Sequence, residues 1–427
     1  MQKEVKKVPQ LRFKEFTEDW KSSKLGVLCS KVGSGSTPRG GSEVYQKNGI
    51  PFIRSQNVID NQLILDDTCI SEEINEKMKG SIVQANDILL NITGGSIGRS
   101  CVVPENFEIG NVNQHVSIIR LKKDKPKFIQ SFLSSYKGQK LILRGQTGSG
   151  REGLNFQSIR GFKILLPSIK EQQKIASFLL SVDTKLNLLQ QKKDRLEEYK
   201  KGVMQQLFSQ QLRFKDDDGN EFPKWEEKKY KDIYTFYSTN SLSRNKLNYE
   251  VGKVKNIHYG DIHTKFSTLY DITKELTPYI NNDIDLSKIK EENYLKNGDL
   301  LIADASEDYN DIGKTIEVVN LNKEKVISGL HTFHARPNKY KMALGFAGYL
   351  VKDWSVRKQV MKIAQGTKVL GISTSRLGNI KLTIPSLEEQ TKIATFLSTI
   401  DKKITLVDTQ IENTQQFKKG LLQQMFV

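Results

Sequence analysis

The sequence predicts an α+β chain made as two copies of one design, each a mixed α/β globular segment followed by a long helix. Three observations carry this reading. The stretch from Pro167 to Phe208, PSIKEQQKIASFL through YKKGVMQQLF, returns at Pro385 to Phe426 as PSLEEQTKIATFL through FKKGLLQQMF, 218 residues on, without a gap and with 18 of 42 positions identical. Inside each copy, apolar residues recur at a 4-3-4-3 spacing, the seam of a coiled coil. Ahead of each copy, short apolar strand-like runs alternate with glycine-rich turns and one helical stretch. The boundaries that follow are a globular segment over 1–166, a rod over 167–210, a second globular segment over 211–384 and a second rod over 385–427.

The first segment opens with Leu11-Arg12-Phe13-Lys14 and Trp20, and the second with Leu212-Arg213-Phe214-Lys215 and Trp225, so the repeat extends to the start of each segment. From Lys24 onward Gly33 to Gly41 reads as a loop, Ile50 to Arg54 as a short strand and Asp87 to Ile92 as a buried strand. A turn follows at Gly94 to Arg99, then a strand at His115 to Arg120, a helix over Pro126 to Arg144 and a glycine-rich approach at Gly145 to Gly153. Lys163 to Leu166 forms a last short strand. In the second segment the counterparts are Asp299 to Asp304, the strand His331 to Arg336, a helix over Ala343 to Ile363 and the approach Gly366 to Ser373. The scaffold repeats while the loop chemistry diverges, as expected of two similar modules reading different targets.

Each rod starts on a capping signal. Ser168 and Glu171, like Ser386 and Glu389, have the S-x-x-E spacing in which serine oxygen and glutamate carboxylate satisfy free N–H groups of the first turn. The seam runs Ile175, Leu179, Val182, Leu186, Leu189, Lys193, Leu196, Lys200, Val203, Leu207 in the first rod. The second carries Ile393, Leu397, Ile400, Ile404, Val407, Ile411, Thr414, Lys418, Leu421 and Met425 at the same places. A helix of this length reaches roughly 60 Å. Lys200 and Lys418 share a seam position, where a polar residue sets register or packs its stem and sends its ammonium to water. Gly202 and Gly420 also coincide, and are expected to mark close helix approach, the other reading being a kink or a fraying end.

The chain has 427 residues, a formal charge of +17 and three cysteines. Its length allows two to three domains with their own cores. Most of the positive excess sits in the two globular segments and calls for a polyanionic partner, with an acidic membrane surface as the lesser reading. Cys29, Cys69 and Cys101 are widely spaced with no CxxC pair, which fits a reducing cytoplasm and excludes a zinc ribbon. MQKEVKKVPQ lacks an apolar signal region and no apolar run approaches 18 residues, so a soluble cytoplasmic protein is expected. No catalytic constellation emerges. Gly94 to Arg99 lacks the phosphate-loop order, His331 and His334 lie three apart on a predicted strand and so on opposite faces, and no carboxylate pair stands out as a dyad. No metal and no bound cofactor is expected.

What remains is basic, amide and hydroxyl residues in glycine-containing loops, the chemistry that contacts base edges and phosphates. In the first segment these are Ser36, Thr37, Arg39, Arg54, Gln56, Asn57, Arg99, Gln114, Arg144, Arg151 and Asn155. In the second they are Ser241, Arg244, Asn245, Lys246, His258, Lys368, Ser373, Ser375 and Arg376. For any one of them a solvated surface role competes.

Two variable segments, each followed by a near-identical helix carrying P-S-x-x-E-Q-x-K-I-A-x-F-L, resemble the specificity subunit of type I restriction-modification systems, as do Gly35-Ser36-Thr37-Pro38, Gly49 to Ile53 and Gly148 to Leu154. The resemblance covers essentially the whole chain. It implies two target recognition domains, each binding half of a bipartite asymmetric DNA site, and two rods lying antiparallel with pseudo-two-fold symmetry as a ruler between them. Two gapless copies related by such an axis would also place their helices antiparallel. It further implies a non-catalytic subunit that binds double-stranded DNA and directs its partners. Two modification subunits would transfer a methyl group from S-adenosylmethionine to adenine, and restriction subunits would use ATP and Mg to cleave. A coiled-coil scaffold joining protein partners and a nuclease with an unrecognised site are the competing readings.

Overall fold

The computed structural model describes residues 8–59, 61–147, 153–338 and 341–427. Two compact units divide the chain: the first takes in the sequence up to Gln191 together with Asp408–Val427, the second Lys192–Val407. Each rod is therefore divided between the two units.

In the first unit a four-stranded sheet is ordered Cys29–Ser34, Val116–Leu121, Ile88–Asn91, Ser100–Val102, antiparallel throughout. A second four-stranded sheet, ordered Cys69–Ile70, Ile50–Ile53, Gly110–Val112, Ile82–Val83, has one parallel pairing, between Ile50–Ile53 and Gly110–Val112. The run Ile88 to Leu90 is apolar without alternation because both its faces are covered. Ile88 and Leu90 join a core with Phe128, Phe132 and Leu133, while Leu89 turns to a second core with Ile53, Val112 and Ile118. The second unit repeats this. Leu300 and Ile302 of the strand Leu300–Ala303 face a core with Tyr349 and Leu350, and Leu301 and Ala303 face one with Ile257 and Ile316. Its main sheet has five strands, ordered Tyr234–Tyr237, Thr332–Pro337, Leu300–Ala303, Thr315–Asn320, Leu269–Asp271.

Both helices expected in the globular segments are broken in two. Pro126–Ser134 and Tyr136–Gly145 meet at Ser135, whose hydroxyl accepts from Gly138 N and donates to Phe132 O. Ala347–Leu350 and Trp354–Ile363 meet before Asp353, which caps the second by accepting from Ser355 N at 2.9 Å. A short polar side chain that bonds its own backbone competes with the helix, and here it wins inside an otherwise helical apolar pattern.

The rods run Ile169–Phe208 and Leu387–Gln424. Ser168 and Ser386 accept from Glu171 N and Glu389 N at 3.4 Å each, the first half of the expected capping box. The carboxylates are used elsewhere. Glu171 accepts two bonds from Arg12 at 2.8 Å and one from the Trp20 indole at 3.3 Å, and Glu389 accepts from Arg213 at 2.6 and 3.1 Å and from Trp225 at 3.1 Å. The repeated opening Leu-Arg-Phe-Lys and its tryptophan thus serve one buried carboxylate in each unit. The next residue does similar work, since Gln172 donates to Asp124 and Pro167 O, and Gln390 to Pro385 O and Lys341 O.

Within each unit the two rod segments pair antiparallel. In the first, Ile175, Leu179 and Val182 share a core with Leu421, Met425 and Phe426, and Lys418 reaches Asp183 at 2.6 Å, where Lys127 adds a second cation at 2.7 Å. In the second, Val203 and Leu207 share a core with Ile393, Leu397 and Ile400. There Lys200 reaches Asp401 at 2.5 Å, and the Tyr349 hydroxyl donates to the same carboxylate at 2.7 Å. The seam lysines therefore end on a carboxylate of the facing rod. Gly202 and Gly420 depart from expectation: a Cβ at either would meet nothing within 4 Å, so neither marks a close approach, and the helices continue through both.

Candidate nucleic-acid interface

At one end of the fully antiparallel sheet of the first unit, four loops are tied together by backbone bonds. Gly35 N donates to Asn113 O at 3.2 Å, Ile92 N to His115 O at 3.0 Å, Leu154 N to Ile92 O at 2.9 Å and Asn113 N to Ile53 O at 3.1 Å. The strand ends Ser34 and Asn91 pair with Ser117 and Val116, which places all these loops on the same side. Gly35 is required there, because a Cβ would fall 1.7 Å from Val112 O. The second unit builds the same corner. Asn240 N donates to Ser328 O at 3.1 Å, Asp304 N to His331 O at 3.1 Å, Ile372 N to Asp304 O at 3.0 Å and Gly329 N to Ile257 O at 2.8 Å.

These ties bring most of the sequence-derived candidates to the two corners. In the first, Ser36, Thr37, Arg39, Arg99, Gln114 and Asn155 are exposed. Thr37 donates to Gln114 at 2.5 Å, and Asn155 caps the helix Phe156–Gly161 by accepting from Ser158 N at 2.7 Å. Arg144, also exposed, lies in the last turn of the helix Tyr136–Gly145. Arg54 and Gln56 both turn to Asp66, at 2.8 and 2.9 Å. Burial works against the charge of Asp66, but bonds from Thr68, Gln56 and Arg54 hold its carboxyl well below the usual range. Asn57 is buried and spends its amide on Arg54 N and Ile64 O, so it shapes its loop from inside. Arg151 lies outside the described residues.

In the second corner Ser241, Asn245, Lys246, Lys368, Ser373, Ser375 and Arg376 are exposed. Ser373 accepts from Arg376 N as a helix cap, and Arg376 donates to Ile363 O. Arg244 is fixed by two bonds to Asp261, at 2.7 and 2.8 Å, whose side chain is fully buried. His258 is buried, its Nδ1 accepts from Gly260 N at 3.2 Å, and burial holds its pKa below the ordinary histidine value. Among the described residues Arg39, Arg99, Arg144, Lys246 and Lys368 carry no side-chain hydrogen bond or ion pair, so their charge is available to a phosphate.

The candidate set leaves out one histidine of each corner. His115 bonds Thr93 at 2.5 Å in the first; in the second, His331 bonds Asp304 at 3.2 Å, beside Tyr259 at 5.3 Å between ring centroids. Burial pushes the Asp304 carboxyl up, against the pull of His331. Each histidine immediately precedes the strand that pairs with the buried central one, a shared position that could have singled them out. His331 stands before that strand, with φ of 55°, and His334 within it is buried against Asp299 at 2.7 Å. Among the described residues no group of three or more His, Cys, Asp or Glu side chains is placed to hold a metal ion.

A family model described as the type I restriction modification DNA specificity domain matches residues 17–198 and again 223–415. The chain belongs to the type I restriction-modification specificity family. The MjaVIII specificity subunit of Methanocaldococcus jannaschii is 25% identical over 422 residues, covering 95% of this chain and 91% of that one. The EcoBI specificity subunit of Escherichia coli is 34% identical over 134 residues, 30% of this chain and 27% of that one. The fold matches that of the type I restriction-modification S subunit from M. genitalium, with a TM-score of 0.59 and 15% identity over 98% of this chain and 99% of that one. This specificity subunit is thus a non-catalytic DNA-recognition component. No helix among its described residues is long and apolar enough to cross a membrane.

Proposed function

We propose that the two corners each read one half of a bipartite, asymmetric DNA site, and that the rods set the distance between the halves. The observation that carries this is that two loop clusters are tied by corresponding backbone bonds, yet present different side chains. Equal scaffolds with unequal reading groups suit an asymmetric target. The net charge of +17 supplies the phosphate attraction. Through this chain two modification subunits are directed to an adenine in each half-site, where they transfer methyl from S-adenosylmethionine to N6 after flipping the base out. Restriction subunits using ATP and Mg cleave DNA that lacks the mark. All of this takes place in the cytoplasm. The chain itself holds no cofactor and contributes recognition alone.

The test is a genome-wide map of N6-methyladenine in the host with the gene intact and deleted. Loss of one bipartite motif on deletion is the expected result and supplies the target sequence. A map unchanged by deletion, in cells shown to express the modification subunit, overturns the reading.

A further inference from the structure

The first corner contains a chain of side-chain bonds linking three loops. The Thr37 hydroxyl donates to Gln114 Oε1 at 2.5 Å, Gln114 Nε2 lies 3.1 Å from His115 Nε2, and His115 Nδ1 lies 2.5 Å from Thr93 Oγ1. An amide nitrogen can only donate, so His115 Nε2 accepts, and the ring proton sits on Nδ1 and is given to Thr93. The backbone beneath is held as tightly: His115 N donates to Asn113 Oδ1 at 3.0 Å, Asn113 N to Ile53 O at 3.1 Å, and Asn113 O accepts from Gly35 N at 3.2 Å. Gln114 is therefore an exposed side chain on a fixed backbone, with its amide oriented from both sides.

An amide carries two acceptor lone pairs and two donor hydrogens. Thr37 and His115 take one of each, which leaves one acceptor on Oε1 and one donor on Nε2. That remainder is complementary to the major-groove edge of adenine, whose N6 amine donates and whose N7 accepts. We propose that Gln114 is a specificity-determining residue, reading an adenine of an A·T pair in the half-site bound by the first unit, and that Thr37 and His115 are positioning residues that fix its amide. This rests on the DNA-recognition reading above. Because the read adenine donates its N6 hydrogen to Oε1 while stacked in the duplex, it is a different base from the adenine flipped out for methylation.

The test uses the full chain with its modification subunits, in a host strain deleted for the gene and complemented with variants, and reads the methylated motif. Q114A should relax one position of one half-site from adenine to several bases, a loss of discrimination of roughly 10- to 100-fold, with the other half-site unchanged. Q114E, with acceptors only, should shift that same position toward cytosine, whose N4 amine donates. T37V should loosen the same position by less. The intact second half-site reports folding and assembly, which a merely structural role for Gln114 would also disturb. A motif unaltered in Q114A, or methylation lost from both halves in all three variants, overturns the proposal. A motif that survives deletion of the gene fails the DNA-recognition reading itself and takes this proposal with it, a result distinct from failure of the variants alone.

Discussion

Glu171 and Glu389 each accept from an arginine and an indole more than 150 residues earlier in the chain. Each side chain is almost wholly buried, so removing its charge leaves a guanidinium without its partner, a loss of about 3 kcal/mol. E171Q and E389Q should each lower the urea midpoint of the full chain, and an unchanged midpoint would show that the anchor is dispensable. Asp299 is a second such centre, accepting from His334 at 2.7 Å and from Arg336 at 2.7 and 2.8 Å. Burial opposes its charge, yet these bonds outweigh burial and hold its pKa below the ordinary aspartate value. A carboxyl depressed in the folded state contributes stability that is complete above its unfolded value and is lost as pH falls through the folded one. Stability should therefore drop below about pH 4, and D299N should flatten that part of the pH profile; a profile identical to the parent's would refute the assignment. Asp87 and Arg120 form the corresponding pair in the first unit, at 2.7 Å. The strands carrying these groups were legible as apolar runs, but the pairings were not. Nothing in the local pattern of Arg244 reveals that its guanidinium is committed to Asp261, or that Asn57 and His258 turn inward, because those partners are set by how loops fold back.

The rods were the most legible elements, because a heptad seam and an exact-length repeat both depend on spacing alone. Every seam position named from spacing is buried or partly buried, including the lysines. The paired helices of the globular segments were less legible. Ser135 and Asp353 interrupt apolar patterns that continue on either side, and only their bonds to neighbouring backbone show the break. Gly202 and Gly420 were legible as anomalies, but their surroundings were not. With open space around both, each costs helix stability without a packing return. G202A and G420A should each stabilise the chain by about 1 kcal/mol, read as a higher melting temperature. Destabilisation by either would mean that the position is needed for something the free chain does not display.

On the scale of the whole molecule, the two Lys–Asp bridges between rods each lie inside one unit, Asp183 with Lys418 and Lys200 with Asp401. One heptad inserted after Gln191 and another after Thr409 keeps both bridges and both seams in phase while lengthening each rod by roughly 10 Å. Under the recognition reading this should widen the spacer of the methylated motif by a few base pairs and leave both half-sites as they were. An unchanged spacer would remove the rods as its determinant. The same division of the chain also imposes a sequence in time. The second unit is contiguous, Lys192–Val407, and can close as soon as Val407 has left the ribosome. The first, though translated earlier, cannot finish its core until Leu421, Met425 and Phe426 arrive, when Phe426 settles against Phe128 and Phe132 and Leu11 N finds Gln424 O. The half of the protein that is made first is thus completed last, and must keep its apolar surface from aggregating while more than 200 further residues are synthesised.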